Sequence, residues 1–409
     1  LPLSLLALLG QPESTNSMSF LGRNQIWSSD DRYQAERVNK FSRRFHPRML
    51  KAFAQKQVSE LRAMHSYSQM MVPGMKGLGM SLDSFLEKAT DLKEAQLSSY
   101  FVKDDQGRSA DCIKVFQLKD QSNPNRVYGL YHSLDKENAF NLHLGYVESI
   151  NELREWKYLA TVEKHASMPE VYVNEDGGGI LFACEITLEE EGNYIRLAHY
   201  LTLDDLITGN SQAIIDLPRI VGPHNEGTPS FDRVKINAGG LQDSEIDIRF
   251  HFEMIEHNEH KYDFIFRLFS EENQGPDRDQ LARGTLKNFK TWTAVDDREV
   301  NESYDQYEGN IGQNAKFQVK GPQSKPHTFY LQECMKKHDD FSTWRICLAD
   351  ERGAFIRELD IKTAKNSTSF ANPTISSITQ TSSQPNSAGL EQLTTTEFYV
   401  VGYFLPTVG

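Results

Sequence analysis

The sequence predicts an all-β protein, five four-stranded sheets forming a five-bladed β-propeller over residues 108–409, behind a mainly helical N-terminal extension at 18–107. Three observations predict it. From about Asp111 onward the apolar residues come in short runs rich in Val, Ile, Phe and Tyr, parted by Asn, Asp, Gly and Pro, as strands and turns require. The runs group in fours, with roughly 55 to 85 residues to a group, a spacing that suits propeller blades carrying loop insertions. Before residue 108 the apolar residues recur instead at helical intervals.

Residues 1–17 stand apart. Leu1 to Gly10 is an apolar run too short to span a bilayer, and the polar Gln11 to Ser17 follows at once, so the stretch reads as the remnant of a secretory signal peptide and linker. A packed N-terminal segment is the competing reading. Ser28-Ser-Asp-Asp31 offers a helix start, with Tyr33, Val38, Phe41 and Phe45 on one face until Pro47 interrupts. Met49 to Met70 places Leu50, Phe53, Ala54, Val58, Leu61 and Met64 on one side of a second helix. The Gly- and Pro-bearing stretch 70–79 breaks it, and Leu82 to Leu97 predicts a third.

The first quartet of strands is Cys112 to Leu118, Arg126 to His132, Phe140 to Tyr146 and Trp156 to Val162. The second is Glu170 to Val173, Gly179 to Glu185, Tyr194 to Tyr200 and Ala213 to Leu217. Ser230 to Ile236, Ile246 to Glu253, Asp263 to Phe269 and Phe289 to Ala294 make the third. Ala315 to Lys320, Thr328 to Glu333, Trp344 to Ala349 and Phe355 to Ile361 make the fourth. Thr374 to Ile378 and Phe398 to Phe404 open a fifth that lacks two outer strands. A ring must close, because an open fan leaves unpaired backbone at its edge, so those strands are expected from residues 18–27 or from beyond Gly409.

Composition narrows the function. A net charge of -13 without clustered Lys and Arg argues against nucleic acid and anionic membranes and for neutral or cationic small ligands. Four cysteines, at 112, 184, 334 and 347, are too few for a disulfide scaffold and wrongly spaced for zinc; Cys334 and Cys347 fall on neighbouring strands and either pair across a hairpin or stay as buried thiols. Asn301-Glu-Ser and Asn366-Ser-Thr permit glycosylation in a secreted, extracellular protein.

In a propeller the innermost strands begin around one mouth of the central channel, so the residues just before them converge. Those positions hold Asp111, His165 and Glu170, His224-Asn225-Glu226, Asn310, and Asn372. Ala110-Asp111-Cys112, Tyr128-x-x-Tyr131-His-Ser133 and Glu226-Gly-Thr-Pro229 resemble the Asp-bearing first strand, the aromatic second strand and the Glu-Gly-Pro-like turn of the five-bladed propeller glycoside hydrolases of the arabinanase and β-xylosidase type, family forty-three. Cys112 stands where that family has Pro, Thr228 is inserted, and no Asp opens the second blade, where Glu170 or His165 would serve. The resemblance implies a hydrolase in which Asp111 is the base, Glu226 the acid and Glu170 the group that raises the acid's pKa. His165, His224, Asn225, Asn310 and Asn372 would bind sugar hydroxyls, and Tyr131, Phe231 or Trp27 would stack on a sugar face. No cofactor is required, although His165, His224 or His251 could hold a channel metal ion; His251, inside a strand, reads first as a packed core residue. The alternatives are a non-catalytic propeller that binds glycan or protein, and a secondary-metabolism enzyme on the same scaffold.

Overall fold

The computed structural model describes residues 67–72, 81–93, 97–100, 102–118, 123–136, 139–174, 179–188, 192–223, 225–237, 240–253, 279–320, 326–338, 340–363, 366–385 and 391–405. All of them belong to one unit, Ala63–Gly409. The chain forms β1 (Tyr67–Val72), α1 (Leu82–Thr90) and β2 (Leu97–Tyr100), and then lays down sheets in succession. The first holds β3 (Lys103–Asp104), β4 (Asp111–Phe116), β5 (Val127–Leu134), β6 (Phe140–Val147) and β7 (Glu155–Lys164), with β3 added parallel to the outer edge of β7. The second holds β8 (Ala166–Val173), β9 (Ile180–Leu188), β10 (Gly192–Tyr200) and, after the short helix α2 (Leu203–Thr208), β11 (Ala213–Asp216). The third runs β12 (Asn225–Asn237), β13 (Gly240–Glu253), β14 (Gln280–Lys287), β15 (Thr291–Asp296), and α3 (Arg298–Glu302) follows it. The fourth runs β16 (Ile311–Lys320), β17 (Pro326–Met335), β18 (Trp344–Ala349), β19 (Phe355–Glu358). In the last, β20 (Ala371–Pro385) pairs with β21 (Glu391–Phe404), β21 with β1, and β1 with β2.

First strands make the ring: β4 lies against β8, β8 against β12, β12 against β16, β16 against β20, and β20 against β4. This closed circuit of sheets is a β-propeller. Apolar side chains fill the seams between sheets, each fully buried Leu, Ile or Phe contributing about 1.5–3 kcal/mol. Leu130 and Leu144 meet Phe182 and Tyr200 between the first and second sheets; Leu181 and Leu197 meet Phe250 and Trp292 between the second and third. Leu331 and Ile346 meet Val401 and Tyr403 between the fourth and last, and Ile113 and Trp156 meet Ile378 and Val400 where the last returns to the first. The third–fourth seam differs. A smaller cluster of Leu281, Val300, Tyr304 and Tyr307 gives way to charge, where Asp232 takes the Tyr330 hydroxyl and the Arg249 guanidinium, and Arg249 lies 4.6 Å from the Tyr330 ring centre. Cys334 and Cys347 are joined by a disulfide across β17 and β18, and Cys112 and Cys184 are buried thiols.

Most strands lie where turn chemistry and alternation put them, with three differences. The third sheet takes Gln280–Lys287 as its third strand, while the expected Asp263 to Phe269 lies outside the described residues. The two outer strands of the last sheet come from Tyr67–Val72 and Leu97–Tyr100. Residues 18–27, one of the two sources expected, lie outside the described residues, as do the helix expected after Ser28 and most of Met49 to Met70, whose last residues are in β1. The helix expected over Leu82 to Leu97 stops at Thr90. Ser81 caps its start, Phe85 stacks on Phe317 at 4.2 Å, and the chain then turns to pair Leu97–Tyr100 with β1.

Trp156 and Trp292 act as seam plugs, and each needs a glycine beneath it. A Cβ on Gly284 would stand 2.1 Å from the Trp292 ring, and one on Gly129 2.8 Å from Trp156. Gly284→Ala should therefore lower stability by roughly 1–3 kcal/mol through overpacking. Chemical denaturation monitored by tryptophan fluorescence checks it, and an unchanged midpoint would refute the close fit.

Candidate active site

Every first strand joins its sheet with the same irregularity. Asp111 pairs with His132, but the next pair is Lys114 with Leu130, so β4 carries one residue more than β5 over this stretch. An equal bulge separates Ser167 from Glu170, Gly227 from Ser230, Ile311 from Asn314, and Ala371 from Thr374. In four of the five, the residue just inside the bulge takes left-handed backbone: Cys112 (φ 51°), Met168 (φ 49°), Thr228 (φ 45°) and Asn372 (φ 44°). None is glycine, and such backbone costs a non-glycine residue on the order of 1–3 kcal/mol.

The bulge lifts an amide out of the ladder, and a buried amide needs an acceptor. The preceding sheet supplies it. His132 Nδ1 on β5 accepts the Met168 N–H at 3.2 Å, Glu185 Oε2 on β9 accepts the Thr228 N–H at 2.9 Å, and Glu333 Oε2 on β17 accepts the Asn372 N–H. Glycine stands where these acceptors pass, since a Cβ on Gly227 would be 2.1 Å from Glu185 Oε2 and one on Gly312 2.3 Å from Glu333 Oε1. His251 Nδ1 meets the Thr228 hydroxyl at 2.7 Å, so Thr228 is held at both its amide and its side chain. Burial drives the His132 pKa down to about 3, with His143 adding to it, so the ring is neutral and free to accept.

The residues that close the bulges, Lys114, Glu170, Ser230, Asn314 and Thr374, are all polar. Lys114 Nζ lies 2.8 Å from Glu170 Oε2, and the two side chains are 3% and 14% exposed, so the ion pair ties the first strands of adjacent sheets where water barely reaches. Asp111, two ladder positions before this layer, is buried with Oδ1 lacking any protein partner. Burial alone pushes its carboxyl up to about 8. Glu333 is pushed up to about 8 as well, by burial first, against the opposing hydrogen bond from Asn372. Both carboxyls therefore hold a proton at neutral pH. Asn314 Oδ1 and both polar side-chain atoms of Gln313 are also buried without protein partners; such groups in first strands are the usual mark of a place where a ligand or water completes the bonding.

The residues expected from sequence divide. Asp111, Glu170 and Asn372 stand at the mouth, and the Asn372 side chain hydrogen-bonds the Cys112 thiol. Glu226 opens β12, but its Oε1 accepts three backbone N–H groups, from Ile220 (2.9 Å), Val221 (2.7 Å) and Gly222 (3.0 Å), and the residue is 1% exposed. That oxygen fastens the 220–222 loop. Asn225 bonds Glu253 and the Asn193 N–H, and Asn310 accepts the Asp279 N–H, so both carboxamides serve the scaffold. Tyr131 is fully buried with its hydroxyl 2.8 Å from Asp104 Oδ2; its ring has no face for a sugar. Phe231 packs against the second–third seam, and His165 is exposed ahead of β8. His224 and Trp27 lie outside the described residues. Sequence reasoning passed over Lys114, His132 and Glu185, left the orientation of Glu333 open, and read His251 as core. The available signal was a titratable residue beside an aromatic or Cys in the second strand of each of the first four sheets.

A cavity of ≈ 400 Å³ lies elsewhere, lined by Asp232, Arg233, Asp247, Arg283 and Thr285 among others, and another of ≈ 230 Å³ adjoins it at Arg283. We place the candidate chemistry at the mouth, because the buried neutral carboxyls are there: Asp111 at the start of β4, and Glu333 on β17, where it reaches the start of β20. Among the described residues no group of three or more His, Cys, Asp or Glu is placed to hold a metal ion.

No protein-family model matches the chain, and no curated protein does. Solved structures similar to it include a GH62 hydrolase in complex with xylotriose, at a TM-score of 0.38 and 8% identity over 74% of this chain and 94% of that one. An endo-arabinase from Bacteroides thetaiotaomicron gives 0.36 and 13% over 72% and 93%. The GH43_1 enzyme from Xanthomonas citri complexed with xylotriose gives 0.38 and 9% over 83% and 96%.

The raised carboxyl pKa values make stability depend on pH in a definite direction. An acid whose folded pKa lies above its unfolded one binds more protons when folded, so its favourable contribution is complete below about 4 and is lost as pH rises to about 8. Asp111→Asn and Glu333→Gln should each flatten that decline and raise stability at pH 8. Urea denaturation across pH 4 to about 9 reads this, and variants that track the unsubstituted protein would show that neither carboxyl is neutral when folded.

Proposed function

We propose that the protein is a secreted glycoside hydrolase that takes an uncharged oligosaccharide at the propeller mouth, with Asp111 as proton donor. The observation that carries this reading is Asp111 itself: a buried carboxyl with an unpartnered oxygen, protonated at neutral pH, at the start of a first strand. Glycosidic cleavage requires one neutral carboxylic acid and one ionised carboxylate. Glu170, in its ion pair with Lys114, supplies the second. The Asp111 proton passes to the glycosidic oxygen as the bond from that oxygen to the anomeric carbon breaks, and Glu170 takes a proton from the water that attacks that carbon. Asp111 is thus the acid rather than the base, and Glu226 has no part, because its buried Oε1 is engaged by three amides. Asn372 and His165 are the groups left to bind sugar hydroxyls. Secretion is supported by the Cys334–Cys347 disulfide, a bond favoured in oxidising compartments.

A non-catalytic propeller binding glycan or protein is the second reading. It is favoured by the use of Glu185, Glu333 and His132 as ties between sheets, which would keep the mouth polar without any turnover.

Release of the aryl group from aryl arabinofuranosides and xylosides tests both. Asp111→Asn should lower kcat about 10²- to 10⁴-fold, while Glu226→Gln retains turnover. kcat/KM should fall as pH rises through about 8, where Asp111 loses its proton. Unimpaired turnover by Asp111→Asn removes it from the mechanism, and sugar binding with no turnover by the unsubstituted protein selects the second reading.

A further inference from the structure

The two Asn-X-Ser/Thr triplets meet opposite fates in the fold. Asn301, in α3, is 4% exposed and its carboxamide is closed on the backbone of Leu281: Oδ1 accepts the Leu281 N–H at 2.8 Å, and Nδ2 donates to the Leu281 carbonyl at 2.9 Å and to Asp296 Oδ1 at 2.8 Å. The carboxamide does for α3 and β14 what a backbone pair would do. A sugar on Nδ2 would have to break these bonds and enter the core.

Asn366 lies on the connection from β19 to β20 and is exposed, as is Thr368, the hydroxyl residue of its triplet. Its turn is fixed without help from its side chain: the backbone is left-handed (φ 52°), the Asn366 N–H donates to the Thr363 carbonyl at 3.1 Å, and the Ser367 N–H to Thr363 Oγ1 at 3.0 Å. Asparagine tolerates left-handed backbone better than most residues, so the site carries little strain. The exposed carboxamide is therefore free of any structural task that a sugar would disturb. A disulfide elsewhere in the same sheet sequence, Cys334–Cys347, is an independent sign of an oxidising compartment, the setting in which asparagine is glycosylated.

We infer that Asn366 carries an N-linked glycan and Asn301 does not. In the modification Asn366 Nδ2 bonds to the anomeric carbon of an oligosaccharide donated by a polyprenyl diphosphate. The bond from that carbon to the diphosphate oxygen breaks, the lipid diphosphate leaves, and the amide nitrogen releases one proton. The inference rests on the secretion proposed above.

The test sends the full chain through the secretory pathway of eukaryotic cells behind a heterologous leader, so that the result at Asn366 does not depend on the chain's own first residues. An N-glycan amidase and peptide mass spectrometry then locate any sugar. The expected result is one glycan, at Asn366, lost in Thr368→Ala with no change in Tm; Asn301→Gln should keep the glycan and lower the Tm. A glycan at Asn301, or secreted protein bare at Asn366, overturns the inference. The state of Cys334 and Cys347 in protein isolated from its own source reads secretion separately, and their recovery as thiols would count against that reading alone.

Discussion

The ring of sheets depends on what happens to one backbone amide at the start of each first strand. A bulge takes that amide out of the ladder, and in four sheets it also turns a non-glycine residue into the left-handed region. Left alone, the amide would be a buried unpaired donor on a strained residue. In three of the joints among the described residues, the second strand of the preceding sheet reaches across and accepts it, through His132, Glu185 or Glu333. The hydrophobic seams bring sheets together without direction, whereas these hydrogen bonds fix how far each first strand projects into the channel. The repeated bulge and the polar layer of Lys114, Glu170, Ser230, Asn314 and Thr374 are one feature seen twice, since the bulge sets which side chain comes next to face its neighbour.

The same region concentrates buried ionisable groups. Asp111 and Glu333 remain neutral because no cation compensates their burial, while Lys114 and Glu170 are charged groups that compensate each other at 2.8 Å. Two solutions to burial within one mouth give one proton donor and one anion, the combination that acid–base chemistry on a neutral substrate requires. That contrast is what supports the proposed activity.

Much of the propeller was legible in the sequence because its strands are short, β-rich and separated by turn residues. The third strand of the third sheet was not: Gln280–Lys287 has Ala282 and Gly284 on either side of Arg283, and the glycine that fits under Trp292 weakens any local strand signal. The outer strands of the last sheet were hidden for a different reason, since the pairing of Tyr67–Val72 with Tyr399–Phe404 joins residues more than three hundred apart, beyond the reach of any local pattern. At the site, Asp111 and Glu170 were legible from their place before or within first strands. Glu185, Glu333 and His132 were concealed inside apolar runs, and only the register shows that they face the next sheet. Glu226 misled because its partners are backbone amides, which leave no trace in the side-chain sequence.

Closure of the last sheet by β1 joins the two ends of the described chain into one element. During synthesis β1 emerges early and can pair with β2 soon after, but its other edge has no partner until β21 has left the ribosome. That edge must therefore wait, open, while the first four sheets are made. Such a distant pairing is slow to form and leaves a strand edge open to other chains in the meantime. The ring is thereby completed last at the seam where Ile378 and Val400 meet Ile113 and Trp156, and a ribosome-bound or truncated chain lacking β21 would present the same open edge to its neighbours.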